Sequence, residues 1–411
     1  MTKMASLGIL FLGFLAIGSA STDVDPRDFD SRSMIAVDAT LADGKMVTST
    51  AEPVLVEAQI RLQLRYLVGV LFDDASPALN HSLKTTVKEI KERGDGLKEI
   101  SYQAQFLLAW NRRGANVKGF SGVVPLRADD KGLNAFDEKY ISRCGGKPPL
   151  WYYYRPGSSF CPVAGRRMPE DVVRLDFTLK QSPLNTSGKS PEYEKIFEDG
   201  LLSVLYVSGN TDSEDGPSDY LERALSSTFG NPVKSDTQTF ENYQVKNLEY
   251  ESRKGKVHVQ GMDILRGNIQ TVDTKFKELF GSKIASADLV GYNGHAGLGA
   301  NIAAFTKLAA FTPKRYYLYW LNACKPFFHL DPTLFNATKM ANPTAPHTKY
   351  LDVMSIAHVG GFSFGRDMVS IVLSLAAKKA TFREILHDGI APGNPVVMGE
   401  EDNRWPEKFE P

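Results

Sequence analysis

Two stretches decide the fold: Ala287-Asp288-Leu289-Val290-Gly291-Tyr292-Asn293-Gly294-His295-Ala296-Gly297 and Arg315-Tyr316-Tyr317-Leu318-Tyr319-Trp320-Leu321-Asn322-Ala323-Cys324. Each is a short apolar run that stops abruptly, the first at a histidine among glycines, the second at Ala-Cys. With a helical pattern from Asn301 to Ala310 between them, they read as neighbouring strands of a parallel sheet covered on both faces. Open α/β sheets bind ligands and do chemistry at the carboxyl ends of their strands. The sequence therefore predicts an imidazole and a thiol on one rim.

Outward from this pair, strands alternate with helices. Leu201 to Val207, Lys256 to Leu265 and Val353 to Ala357 read as further strands. Asp219 to Phe229, Thr271 to Phe280, Met368 to Lys378 and Phe382 to His387 read as helices. A polar tract from Gln181 to Pro191, rich in Ser, Pro, Asn and Gly, marks a boundary. Before it, alternating polar and apolar residues predict strands at Ala58–Tyr66, Ser101–Trp110, Val117–Leu126 and Val172–Leu179, with a short helix at Leu83–Arg93, where Val87 and Ile90 share a face. Trp151-Tyr152-Tyr153-Tyr154-Arg155 reads as an aromatic strand packed on one face, with Arg155 free to stack on a neighbouring ring. The expected division is a signal peptide over 1–20, a β-rich domain over 21–190 and an α/β domain over 196–411.

The 411 residues carry 48 basic and 48 acidic side chains, a formal net charge of zero, so nothing points to a nucleic-acid partner. Lys3, the apolar run Leu7 to Ile17 and the small residues Gly18-Ser19-Ala20 have the layout of a secretory signal. That run is shorter than the roughly 20 residues of a membrane span, and no later stretch is long and apolar enough for one. A secreted or periplasmic location follows, and with it an oxidising compartment. Of three cysteines, Cys144 and Cys161 bracket a compact Gly-, Pro- and aromatic-rich loop and are expected to pair, leaving Cys324 as a thiol that is either reactive or a buried, inert packing residue.

Chemistry at a carbonyl needs a nucleophile, a proton carrier and donors for the oxyanion. Cys324 supplies the first and His295 the second. The backbone N–H groups of Ala296, Gly297 and Cys324 supply the third, each such donor being worth about 3 kcal/mol. No phosphate-cradling loop is present and no cofactor is called for. His295, Cys324, His329 and His347 are possible zinc ligands but lack a closely spaced pair, so no metal is assigned. Asp212-Ser213-Glu214-Asp215, with Asp219 nearby, lacks EF-hand spacing and reads as a solvated loop. Asp263, Asp288 and His358 lie near strand ends, either orienting neighbours or as ordinary polar positions. Glycosylation sequons occur at Asn80, Asn185 and Asn336.

A strand running to His, then a strand running to Ala-Cys, resembles the caspase–gingipain–legumain group of cysteine peptidases (clan CD). The resemblance covers residues 196–411. It implies an α/β caspase-like domain, a mostly parallel sheet flanked by helices, with His295 as base and Cys324 as nucleophile. Ala391-Pro392-Gly393-Asn394-Pro395-Val396-Val397-Met398-Gly399 is similar to a late strand of gingipain-like domains. Members of that group usually carry glycine directly after the histidine; here Ala296 stands there and Gly297 follows, and Lys325-Pro326 after the cysteine does not resemble the sequence of active members. The expected function is a secreted cysteine endopeptidase acting on peptide or protein through an acyl-enzyme. The alternative is an inactive exported binding module. Nothing in the sequence sets an oligomeric state.

Overall fold

The computed structural model describes residues 34–404, apart from 73, 112–115, 146–150, 165–167, 182–187, 210–216, 253–254, 359–365 and 388–393. The expected signal peptide, the acidic stretch 212–215, Asn185 and most of the 181–191 tract lie outside the described residues.

The first half is built on an antiparallel sheet. Its elements are β1 (Met34–Thr48), α1 (Pro53–Leu64), α2 (Leu67–Val70), β2 (Ala75–Pro77), α3 (Leu79–Ser82), β3 (Lys84–Gly94), β4 (Leu97–Asn111), β5 (Gly119–Pro125), α4 (Asp130–Phe136) and β6 (Val172–Gln181). The strand order is β2-β4-β1-β6-β5, with β3 pairing the same edge of β4 as β2. Two expectations fail here. Ala58–Tyr66 is not a strand: Pro53 opens a helix, and Val56, Ile60, Gln63 and Leu64 bury at helical spacing, which Ile60, Leu62 and Leu64 also satisfy as an alternation. Leu83–Arg93 is not a helix: the segment is an exposed strand that pairs back on β4 across a turn at Gly94-Asp95-Gly96, three residues with positive φ.

The second half contains α5 (Tyr193–Ile196), β7 (Leu201–Ser208), α6 (Pro217–Phe229), β8 (Lys234–Thr239), β9 (Tyr243–Ser252), β10 (Gly255–Ile264), α7 (Thr274–Ile284), β11 (Leu289–Asn293), α8 (Ala300–Lys307), β12 (Tyr317–Asn322), α9 (Pro326–His329), α10 (Thr333–Ala341), β13 (Leu351–Ile356), α11 (Arg366–Ala376), α12 (Phe382–His387) and β14 (Pro395–Met398). Its sheet runs β14-β13-β12-β11-β7-β10-β9-β8. The expected caspase-like, mostly parallel sheet is overturned, because this sheet is mixed. Four pairings are parallel, β10–β7, β7–β11, β11–β12 and β12–β13. Three are antiparallel, β8–β9, β9–β10 and β13–β14. The connections from β8 to β9 and from β9 to β10 are too short for the crossover that a parallel pairing demands, so the chain doubles back.

The two halves share buried surface. Met34, Ala36, Leu107 and Ala109, on one face of β1 and β4, join the same apolar core as Tyr292, Tyr319, Leu321 and Phe327. In return Phe328 of α9 is buried in the core of the front half, among residues such as Trp151 and Tyr66.

Candidate functional site

β11 and β12 lie side by side and parallel, with Asn293 opposite Asn322 as their last paired residues. His295 and Cys324 each follow two positions later, so the chain delivers both to the carboxyl rim at one level. The ladder continues one step past the pair, with Gly294 N–H donating to the Asn322 carbonyl at 3.1 Å. Leu289 to Asn293 and Tyr317 to Asn322 are buried throughout, as the apolar runs require.

The loop after β11 is tightly built. Its histidine is exposed, while the His295 carbonyl accepts from Tyr292 Oη at 2.9 Å and from Asn301 Nδ2 at 2.8 Å. Ala296 is buried in an ordinary right-handed conformation (φ −68°, ψ −24°), and the left-handed turn falls on Gly297 at φ +57°. Alanine in place of glycine after the histidine is therefore unstrained, since the residue one later supplies the positive φ. Gly299 also has positive φ, and a Cβ there would lie 2.5 Å from His329 Nδ1, so the two rim loops touch.

The loop after β12 is buried. Cys324 is the free cysteine among the described residues and is half-buried. Burial pushes its thiol above the ordinary value, and the Lys325 ammonium opposes that. Lys325 is buried and left-handed (φ +53°), and Pro326 then opens α9 at its first turn. The Lys325 N–H donates to the His358 carbonyl at 2.9 Å. Burial holds His329 neutral, pulling it down to about 4.

The front half closes over this loop. Asn80 Nδ2 donates to the Phe328 and His329 carbonyls at 3.1 and 3.3 Å, and His81 Nδ1 meets the Leu330 carbonyl at 3.1 Å. The sequon asparagine is thus engaged in packing. Trp151 lies 5.2 Å from the Phe328 ring and 6.2 Å from the His329 ring. Burial, with smaller contributions from Tyr153 and Cys324, pushes the Tyr152 hydroxyl up to about 12. That segment is a tight 3-10 turn at Trp151–Tyr153, not a strand, and Arg155 does stack, 3.6 Å over Phe72. Cys144 and Cys161 are joined by a disulfide with Cα atoms 4.4 Å apart, tying down the chain on either side of the turn.

Other expected residues fall elsewhere. Asp288 precedes β11 at the opposite rim, bonded to Arg315 and to the Ser203 N–H. Asp263 is the last but one residue of β10, accepting from Gln244 and from the Ser218 N–H. His347 sits against Phe335. Among the described residues no three His, Cys, Asp or Glu side chains gather as a metal set.

Sequence reasoning missed a transverse polar row beneath the rim. Gln244, Asp263, Ser208, Asn293 and Asn322 are successive partners across β9, β10, β7, β11 and β12. Paired residues face the same side of a sheet, so the row runs along one face, and Asn322 Nδ2 reaches Asp367 on α11 at 2.8 Å. The signal was a polar residue closing three apolar strands in turn, Ser208, Asn293 and Asn322.

No protein-family model matches the chain, and no curated protein matches it. The described residues contain no helix long and apolar enough to cross a membrane, which, with the disulfide, is compatible with an extracellular location.

Proposed function

We propose that the protein is a secreted cysteine-dependent hydrolase that cleaves peptide bonds through the His295/Cys324 pair, as the resemblance to the cysteine peptidases of clan CD suggests. The observation that supports this is the register of β11 and β12, which ends both strands at one level and sends His295 and Cys324 out two residues later. In the reaction the Cys324 sulfur attacks the peptide carbonyl and forms a carbon–sulfur bond. The carbon–nitrogen bond breaks, and His295 passes the thiol proton to the departing amine. Water then attacks the thioester with His295 taking its proton; a carbon–oxygen bond forms, the carbon–sulfur bond breaks, and His295 returns the proton to the Cys324 sulfur. Backbone N–H groups of Ala296, Gly297 and Cys324 are the candidate donors to the oxyanion.

A second reading is a non-catalytic exported module. What favours it is the burial that raises the Cys324 thiol and the insertion of Phe328 into the front half. Cleavage of a mixed peptide library by the full chain separates the two. The hydrolase reading predicts loss of cleavage in Cys324→Ala and a drop of about 100-fold or more in His295→Ala. Cleavage that survives Cys324→Ala refutes it.

A further inference from the structure

We propose that the seam between the front half and α9 is an acid-operated latch, in which protons taken up by His81 and His329 part α3 and the Trp151 turn from α9. The inference goes beyond the hydrolase reading and does not depend on it.

Two imidazoles stand among the contacts that close the seam. On one side α3 offers Asn80 and His81; on the other, α9 presents the carbonyls of Phe328, His329 and, just after it, Leu330. His81 Nδ1 lies 3.1 Å from the Leu330 carbonyl, which can only accept, so the neutral ring carries its proton on Nδ1. Nε2 is then a bare lone pair. That atom is sealed from solvent and has no hydrogen-bond partner, although other parts of the side chain reach the surface. The ring also stands edge-on to Phe327, with centroids 5.6 Å apart. A second proton would place a buried N–H and a full charge where nothing accepts them.

His329 is held in a similar way. It is buried, with its ring 6.2 Å from that of Trp151 and 5.0 Å from that of Phe328. A Cβ at Gly299 would lie 2.5 Å from its Nδ1, so the ring has little room to turn. Burial accordingly pulls both imidazoles down to about 4. Asp331 faces His81 and favours its proton, but burial outweighs that attraction. The cations nearby work against protonation. Lys325 caps the start of α9, Arg61 of α1 donates to the Asn80 carbonyl at 3.4 Å, and the Arg65 guanidinium lies 5.3 Å from the centre of the Trp151 ring. A third imidazole, His358 after β13, meets the Phe72 carbonyl at 2.9 Å on the same boundary.

In the closed seam both rings are neutral, whereas each ring freed by opening binds a proton near its ordinary value of about 6.5. The seam is therefore held fully above about pH 6.5 and loosens as the pH falls toward about 4. Each ring raises the opening equilibrium by at most about tenfold per pH unit, and the two together by about 100-fold. Because α9 begins two residues after Cys324, acid acts on the rim loop that carries the thiol.

The test is peptide-resolved hydrogen exchange on the full chain between pH 7 and pH 4.5, corrected for the intrinsic pH dependence of amide exchange. The segments 78–82 and 327–330 are expected to open at least about tenfold more at pH 5 than at pH 6.5, while β11 and β12 stay protected. His81→Gln keeps a donor for the Leu330 carbonyl, and His329→Leu keeps an apolar, uncharged filling beside Trp151. Each should remove about half of the pH dependence on a logarithmic scale, and the double variant most of it. Seam amides whose protection is unchanged down to pH 5 overturn the proposal, as does a double variant as acid-sensitive as the wild type. Loss of seam and sheet protection in one step also overturns it, since that is global acid unfolding. If the double variant does not fold, His81→Gln alone decides, and an unaltered pH dependence overturns the latch. Peptide cleavage is not read here, so failure of the latch leaves the hydrolase reading standing, and failure of that reading leaves the latch.

Discussion

Asp352, at the amino end of β13, gives the sharpest stability prediction. Its side chain is fully buried, the Tyr316 hydroxyl donates to it, and Asn403 Nδ2 donates at 2.6 Å. Burial outweighs these donors, and the nearby carboxylates of Asp402 and Glu192 add to it, pushing Asp352 up to about 8. The native chain therefore holds a proton that the unfolded chain releases near pH 4. A raised folded value contributes stability that is complete below about pH 4 and is lost as the pH climbs to about 8. The loss is about 1.4 kcal/mol per pH unit, for a total of roughly 6 kcal/mol as an upper bound. Asp352→Asn keeps a carbonyl for Tyr316 and removes the titration. Urea unfolding of both proteins at pH 5, 6, 7 and 8 should show the variant gaining on the wild type with each step. A stability difference that does not change with pH, or a wild type that gains on the variant as pH rises, would refute the reasoning.

Two further outcomes follow from named contacts. Gly299→Ala should destabilise by about 1–3 kcal/mol, since the residue has φ +96° and its new Cβ would strike His329; denaturant midpoints measure this, and a neutral result would show that the rim loops are loosely packed. The double variant Cys144→Ser with Cys161→Ser should lose about 3 kcal/mol, as expected for a loop of sequence separation 17, seen as a lowered urea midpoint with an intact oxidised control.

Much of the second half was legible because its strands are continuous apolar runs: Leu289–Asn293, Tyr317–Asn322 and Leu201–Ser208 announce burial on both faces. The polar edge strand Lys234–Thr239 gave no such signal, since an exposed antiparallel edge has no apolar face to show. The short links from β8 to β9 and from β9 to β10, with the antiparallel β14 at the other edge, are what make the sheet mixed. In the front half, Ile60, Leu62 and Leu64 fit two periods at once, and only Pro53 and Val56 upstream favour the helix. Val87 and Ile90 share helical spacing yet lie largely exposed on β3, where pairing with β4 overrides local preference. The packing of Trp151 and Asn80 against Phe328 and His329, and of Phe72 near the Lys325 side chain, could not be read at all. It joins residues far apart along the chain, and no local pattern carries that information. The disulfide was legible from spacing, and the rim position of His295 and Cys324 from the strand ends.

The most direct measurement is trapping of the acyl-enzyme. The full chain is mixed with a peptide thioester, quenched in acid and digested, and the acylated residue is located by mass spectrometry. The account predicts one acyl group on Cys324, with no adduct on Cys324→Ala and slower release of the group in His295→Ala. A folded protein that never acquires the group, or acquires it at the same rate without Cys324, would contradict it.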